Sequence, residues 1–147
     1  MAHIVNISKE VEAMPKEYLN PKELFPSLQY GFSQIVISRG SQTVYLSGQV
    51  AWDEKQHIIG NDDLQAQTRQ AFRNIETAMK VAGGTLADVV SMRIYFVNEK
   101  LEETHHISEV LKEFFSEDRA PATTWIGVHS LANKDFLIEI EAIGVIE

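Results

Sequence analysis

The sequence predicts an α+β domain with the element order β-β-α-β-α-β-β, a mixed sheet carrying two helices on one face. Three observations lead there. Two segments space their apolar side chains by three and four, several others alternate every second residue or are dense in β-branched and aromatic types, and strand pairs at hairpin distance bracket the helices. A length of 147 residues suits one domain, 1–147, with a core of its own.

Residues 1–27 hold Pro15, Pro21 and Pro26 among mixed charges with no sustained period, which predicts an N-terminal arm of little regular structure. Leu28 to Ser38 reads as a strand, Arg39-Gly40-Ser41-Gln42 as a turn, and Thr43 to Trp52 as a second strand pairing back on the first. Gly48 interrupts that second strand and suggests a bulge or a close backbone approach. Asp63 to Ala82 places Leu64, Ala71, Phe72, Ile75, Ala78 and Met79 on one helical face, with Asn61 or Asp62 as the cap and Gly83-Gly84 able to end it left-handed. Thr85-Leu86-Ala87-Asp88 has the form of a capping box.

Val89 to Asn98 alternates as a strand, and Leu101 to Phe115 forms a second helix burying Ile107, Val110, Leu111, Phe114 and Phe115. Strands Ala122 to Ser130 and Phe136 to Ile146 complete the order. Two helices cover one side of such a sheet. The other side, in one assignment of faces, carries Tyr30, Phe32, Tyr45, Tyr95, Val97, Trp125 and Leu137, too apolar for a solvated surface. That predicts burial against further copies of the chain in closed cyclic symmetry.

Charge and composition narrow the partners. Thirteen Lys and Arg against 21 Asp and Glu leave a net −8, which opposes nucleic acid and anionic membranes as partners. Residues 99–118 alone hold seven carboxylates and two lysines, on what reads as the solvated face of the second helix. The absence of cysteine excludes disulfides and thiol nucleophiles and fits a cytoplasmic location. The first residues lack a signal-peptide pattern, and no run reaches the length of a membrane span.

Few residues carry chemistry unaided. Glu139 and Glu141 alternate with Ile138 and Ile140, so both carboxylates point away from the helix-covered core, where a carboxylate can orient or activate water or simply pair across an interface. Arg93, on a strand expected to be central, needs an acidic neighbour or an anionic ligand. Arg69 and Arg73 read as solvated. The histidines His3, His57, His105, His106 and His129 show no metal-ligand spacing, His105 and His106 being expected on different helix faces. Ser47 lacks a nucleophile elbow, and no phosphate-binding glycine loop occurs.

The segments Phe32-Ser33-Gln34, Leu46-Ser47-Gly48-Gln49, Gln67-Thr68-x-Gln70-Ala71-x-x-Asn74-Ile75, Ala82-Gly83-Gly84-x-x-x-Asp88-Val89-Val90, Pro121-Ala122-x-Thr124 and Glu139-Ile140-Glu141-Ala142-Ile143 occur in this order. On them the chain resembles the YjgF/RidA family, also called L-PSP endoribonuclease-like, from about Tyr30 to Val145. The resemblance implies a chorismate-mutase-like homotrimer whose clefts between subunits hydrolyse enamines and imines to 2-keto acids and ammonia without metal or cofactor. It further implies Glu139 as the water-positioning catalytic residue. Gly48, Gln49, Thr124 and Trp125 would line the pocket.

Two positions depart from the family pattern. Thr123 stands where a carboxylate-gripping arginine is expected, and Phe32 where tyrosine is common. Losing a charge-assisted contact to a buried carboxylate costs several kcal/mol, so the archetypal 2-aminoacrylate reaction is disfavoured. Two readings follow: a hydrolase of the same type in which Arg93 or Arg119 contacts the anion and Phe32 and Trp125 form an aromatic pocket, or a module that binds a small metabolite without turnover. A ribonuclease ranks third, because backbone binding relies on cationic grooves.

Overall fold

A computed structural model describes residues 16–147; the part of the expected arm before Lys16, and His3 with it, lies outside the described residues. The elements are β1 (Glu17–Leu19), β2 (Ile35–Ile37), β3 (Gln42–Gln49), α1 (Leu64–Val81), β4 (Val89–Val97), α2 (His105–Phe114), β5 (Ala122–Val128) and β6 (Ile138–Ile146), with short 3-10 turns between several of them. From β2 onward this is the expected order, and the fold is α+β with a mixed sheet and two main helices.

The first hairpin is where the expectation fails. Ser27–Tyr30 is a 3-10 turn closed by Gly31 at φ 94°, so the predicted strand over Leu28 to Ser38 shrinks to Ile35–Ile37. Its partner is β1, inside the supposed irregular arm, with Tyr18 opposite Val36. β3 pairs instead with β6, Tyr45 opposite Ile143, in a four-stranded sheet ordered β3-β6-β4-β5. β4 and β5 run parallel and the other neighbours antiparallel. The local turn signal at Arg39 to Gln42 was outcompeted by the long apolar β6, which pairs with β3 at six positions.

The core lies between this sheet and the helices. Phe72, Ile75 and Met79 of α1 and Ile107, Val110 and Leu111 of α2 pack with Ile94, Ile138 and Ile140, all fully buried. Phe72 meets Phe114 and Phe115 at ring distances of 5.3 and 5.7 Å. α1 is capped by Asp63, one residue past the expected caps, whose carboxylate accepts from the Ala66 amide at 2.9 Å. Gly83 takes φ 90° beyond its end as expected, and Thr85 with Asp88 forms the capping box.

The polar residues of the α1 motif hold loops in place. Gln67 is fully buried; its amide donates to the Asn61 and Asp135 carbonyls and accepts from the Leu137 amide, each at 2.9 Å. Asn74 donates to the carbonyls of Val50 and Trp52 and accepts from Gln70, fixing the chain that leaves β3. Between the helices, Arg69 grips Glu113 through two nitrogens at 2.8 and 2.7 Å and Gln65 donates to Glu109, so neither Arg69 nor the acidic face of α2 is merely solvated. This pairing holds the Glu113 carboxyl below its ordinary range.

Gln67→Leu keeps the volume and strands one buried N–H and two carbonyls. Each such group costs about 1–3 kcal/mol, so the variant is expected to lose at least ~2 kcal/mol. Thermal unfolding at fixed protein concentration should show its Tm lower by roughly 5 °C or more. An unchanged Tm would mean the loops are held elsewhere.

Candidate active site

The pleat of the sheet decides which predicted residues can meet. β4 and β5 share faces in register, Met92 beside Thr123, Arg93 beside Thr124, Ile94 beside Trp125. Met92 and Ile94 belong to the core, so Thr123 and Trp125 look toward the helices. Arg93 and Thr124 look the other way, with Glu141 and Tyr95. Trp125 is therefore not on the open face assigned to it above. Val97 and Leu137 are also buried within the chain, at 6% and 4% exposure. Tyr45 and Tyr95 do lie on the open side, Tyr45 at 77% exposure, and Ile143, not among the residues expected there, lies opposite Tyr45.

Three cavities divide the candidates. Phe32, Thr123 and Trp125 line one of 640 Å³ against α2, with His105, Glu109 and Lys112 on its other wall. The Phe32 and Trp125 rings are 6.2 Å apart, and the indole N–H donates to the Thr123 hydroxyl at 3.0 Å. Thr123 thus fixes the orientation of Trp125 where an arginine was expected. Gly48, Gln49 and Glu139 line a second cavity of 770 Å³, shared with Trp52, Phe136, Asn74 and Arg73. Gly48 leaves room for the carboxylate: a β-carbon on it would fall on the Glu139 side chain, which would have to move. Pairing of β3 with β6 is irregular between Leu46 and Gln49, the bulge that Gly48 suggested.

Arg93 lines a third cavity of 320 Å³ beside Tyr45 and Glu141. Its guanidinium donates to Glu141 at 3.1 Å, and the Tyr95 hydroxyl donates to the same carboxylate oxygen at 3.0 Å. The acidic neighbour that Arg93 required is Glu141. Arg119 lies apart, with Lys16, Asp88 and Glu147. Neither arginine lines the cavity of Glu139 or that of Thr123, and Thr124 is exposed on the open face. The cation lining the Glu139 cavity is Arg73, which sequence reasoning set aside as solvated. Its signal was the polar spacing Gln70, Asn74, Thr77 on the same stretch of α1.

His105 and His106 also depart from expectation. Their rings lie 4.0 Å apart rather than on separate faces, and His106 Nδ1 is 2.9 Å from the Glu109 carboxylate, which it holds below the ordinary carboxylate range.

A family model described as Endoribonuclease L-PSP matches residues 25–146. A RutC family protein of Pyrococcus horikoshii is 33% identical over 123 residues, 84% of this chain and 89% of that protein. A 2-iminobutanoate/2-iminopropanoate deaminase of Dermatophagoides farinae is 34% identical over 105 residues, 71% of this chain and 79% of that protein. Among solved structures, the conserved Rid family protein YyfB of Yersinia pestis, described as of unknown function, superposes with a TM-score of 0.85 at 36% identity, covering 90% of this chain and all of that one.

The hydrogen bond to Glu141 raises the Tyr95 phenol above its ordinary value near 10, and the Arg93 charge opposes that only in part. A group whose folded pKa is raised contributes stability at pH below its unfolded value and loses it as pH climbs through the folded one. Tyr95 should therefore ionise above pH 10 in ring-carbon NMR titration, and Glu141→Gln should shift its midpoint downward. A midpoint insensitive to that substitution would remove Glu141 as the cause.

Proposed function

The chain belongs to the Endoribonuclease L-PSP, or YjgF/RidA, family, and from that premise we propose that it is a hydrolytic deaminase of an enamine or imine metabolite. Its site is a cleft assembled from two copies of the chain. The observation that carries this is the division of the site. Thr123 and Trp125 occupy the helix-facing side of edge strand β5, whereas Glu139 occupies the open side of β6, with β4 between them. Two strand spacings separate those backbones by roughly 10 Å, and the side chains leave on opposite faces. A neighbouring subunit that brings the second half to the first completes the site.

In such a cleft the half from one subunit supplies Phe32, Thr123 and Trp125, an aromatic wall that suits a substrate larger than an aminoacrylate. The other half supplies Glu139, with Gly48 and Gln49 on the adjoining strand. Glu139 accepts a proton from water as the water attacks the imine carbon and returns it to the nitrogen; the hydroxyl proton of the resulting carbinolamine then follows by the same carboxylate as the C–N bond breaks, giving a carbonyl compound and ammonia. A homotrimer closes three equivalent clefts and covers Tyr45, Tyr95 and Ile143. A net charge of −8 disfavours an RNA substrate despite the family's older name.

Steady-state ammonia release from a panel of 2-imino acids and bulkier aromatic imines tests the reading. Wild type should turn over at least one, and Glu139→Ala should lose about 100-fold or more. Equal inertness of both across the panel would leave a metabolite-binding module. Thr123→Arg should raise turnover of small 2-imino carboxylates, because it restores a cationic fork for the carboxylate. Sedimentation should show a trimer, and a monomer at micromolar concentration would defeat the shared cleft.

A further inference from the structure

The start of α2 holds a group of side chains that imine hydrolysis does not use. His105, His106 and Glu109 bring one ligating atom each to within 4.8 Å of one another. The spacing explains it: a carboxylate four residues after one histidine and three after the next stands one helical turn above both, so all three share a side of the helix. We propose that these residues form a binding site for a divalent transition metal of borderline softness, Zn²⁺ in the first instance, on the wall of the cavity that contains Thr123 and Trp125.

Three features support it beyond proximity. The ligand set, two imidazoles and one carboxylate, is one that binds Zn²⁺ and leaves a coordination position for water or a ligand. Tetrahedral bonds near 2.0–2.1 Å put ligand atoms about 3.3 Å apart, so the group closes by about 1.5 Å, within reach of side-chain rotation at an exposed helix start. Glu109 is already oriented from outside the set, since the Gln65 amide donates to its Oε2 at 2.8 Å, the role an outer-shell partner plays around a metal. His105 and Glu109 line the 640 Å³ cavity, so an ion there is open to solvent and places positive charge on the same cavity that Thr123 lines.

Calorimetric titration of the full chain with ZnCl₂ at pH 7.5, in the absence of any imine, tests the site. Expected are one ion per chain with a dissociation constant in the micromolar range or tighter, and absorption bands of tetrahedral coordination when Co²⁺ is substituted. His105→Ala and Glu109→Gln should each weaken binding at least ~10-fold, Gln65→Ala less, with circular dichroism unchanged. His57→Ala removes the histidine of the separate His57 and Asp53 pair and should leave the affinity unaltered. Binding that survives His105→Ala/His106→Ala, or that falls with His57→Ala instead, overturns the assignment. Because no substrate enters the measurement, its failure leaves the hydrolase reading standing, and an inert enzyme leaves the metal site standing.

Discussion

Two helices cover one face of the four-stranded sheet, and most of what is distinctive about the chain follows from that inequality. α1 and α2 bury Ile94, Ile138 and Ile140, while the same strands carry Arg93, Tyr95, Glu139 and Glu141 on the uncovered side. A polar network has developed there, with Glu141 accepting from both Arg93 and Tyr95, flanked by the exposed ring of Tyr45. Such a face is neither a dry core nor a fully solvated surface. Its mixture of paired charge and exposed aromatic area is what a subunit interface presents.

The same inequality explains why the candidate residues separate. Side chains on β5 that face the helices open into a cavity beside α2, and the carboxylate on β6 opens into another at the end of β3. On the proposed reading each cavity is half of a site: aromatic surface and a hydroxyl-anchored indole in one, a half-buried glutamate with a glycine pressed against it in the other. The Thr123 hydroxyl accepts from the Trp125 indole, so the position where the family resemblance leads one to expect an arginine here holds an aromatic ring in place.

Much of this was legible in the chain. The periodicity of α1 and α2, the alternation of β4 and β6 and the capping box at Thr85 are local signals, and they match the structure because packing reinforces each of them. The first hairpin was not legible, because β3 chose its partner by the length and apolarity of β6, which lies some hundred residues downstream. Strand alternation gives only relative sides, and the absolute side of Trp125 depends on its register with Ile94. Ideal helix angles put His105 and His106 on different faces, whereas at the first turn of α2 their rings fold together beside Glu109. Arg73 was passed over because a cation on a polar helix face has no sequence signature until the loop after β3 is seen to close a cavity around it.

The central claim is that a working site takes its two halves from different copies of the chain. Subunit mixing tests it most directly. Glu139→Ala and Trp125→Ala each damage one half, and both should be inactive alone on the imine that wild type hydrolyses best. Co-refolded in equal amounts, they form mixed oligomers in which roughly a quarter of the interfaces join two intact halves, so about a quarter of wild-type activity should return. Activity that stays at the level of the separate variants, in oligomers shown to be mixed, would place both residues in one subunit's site and contradict the account.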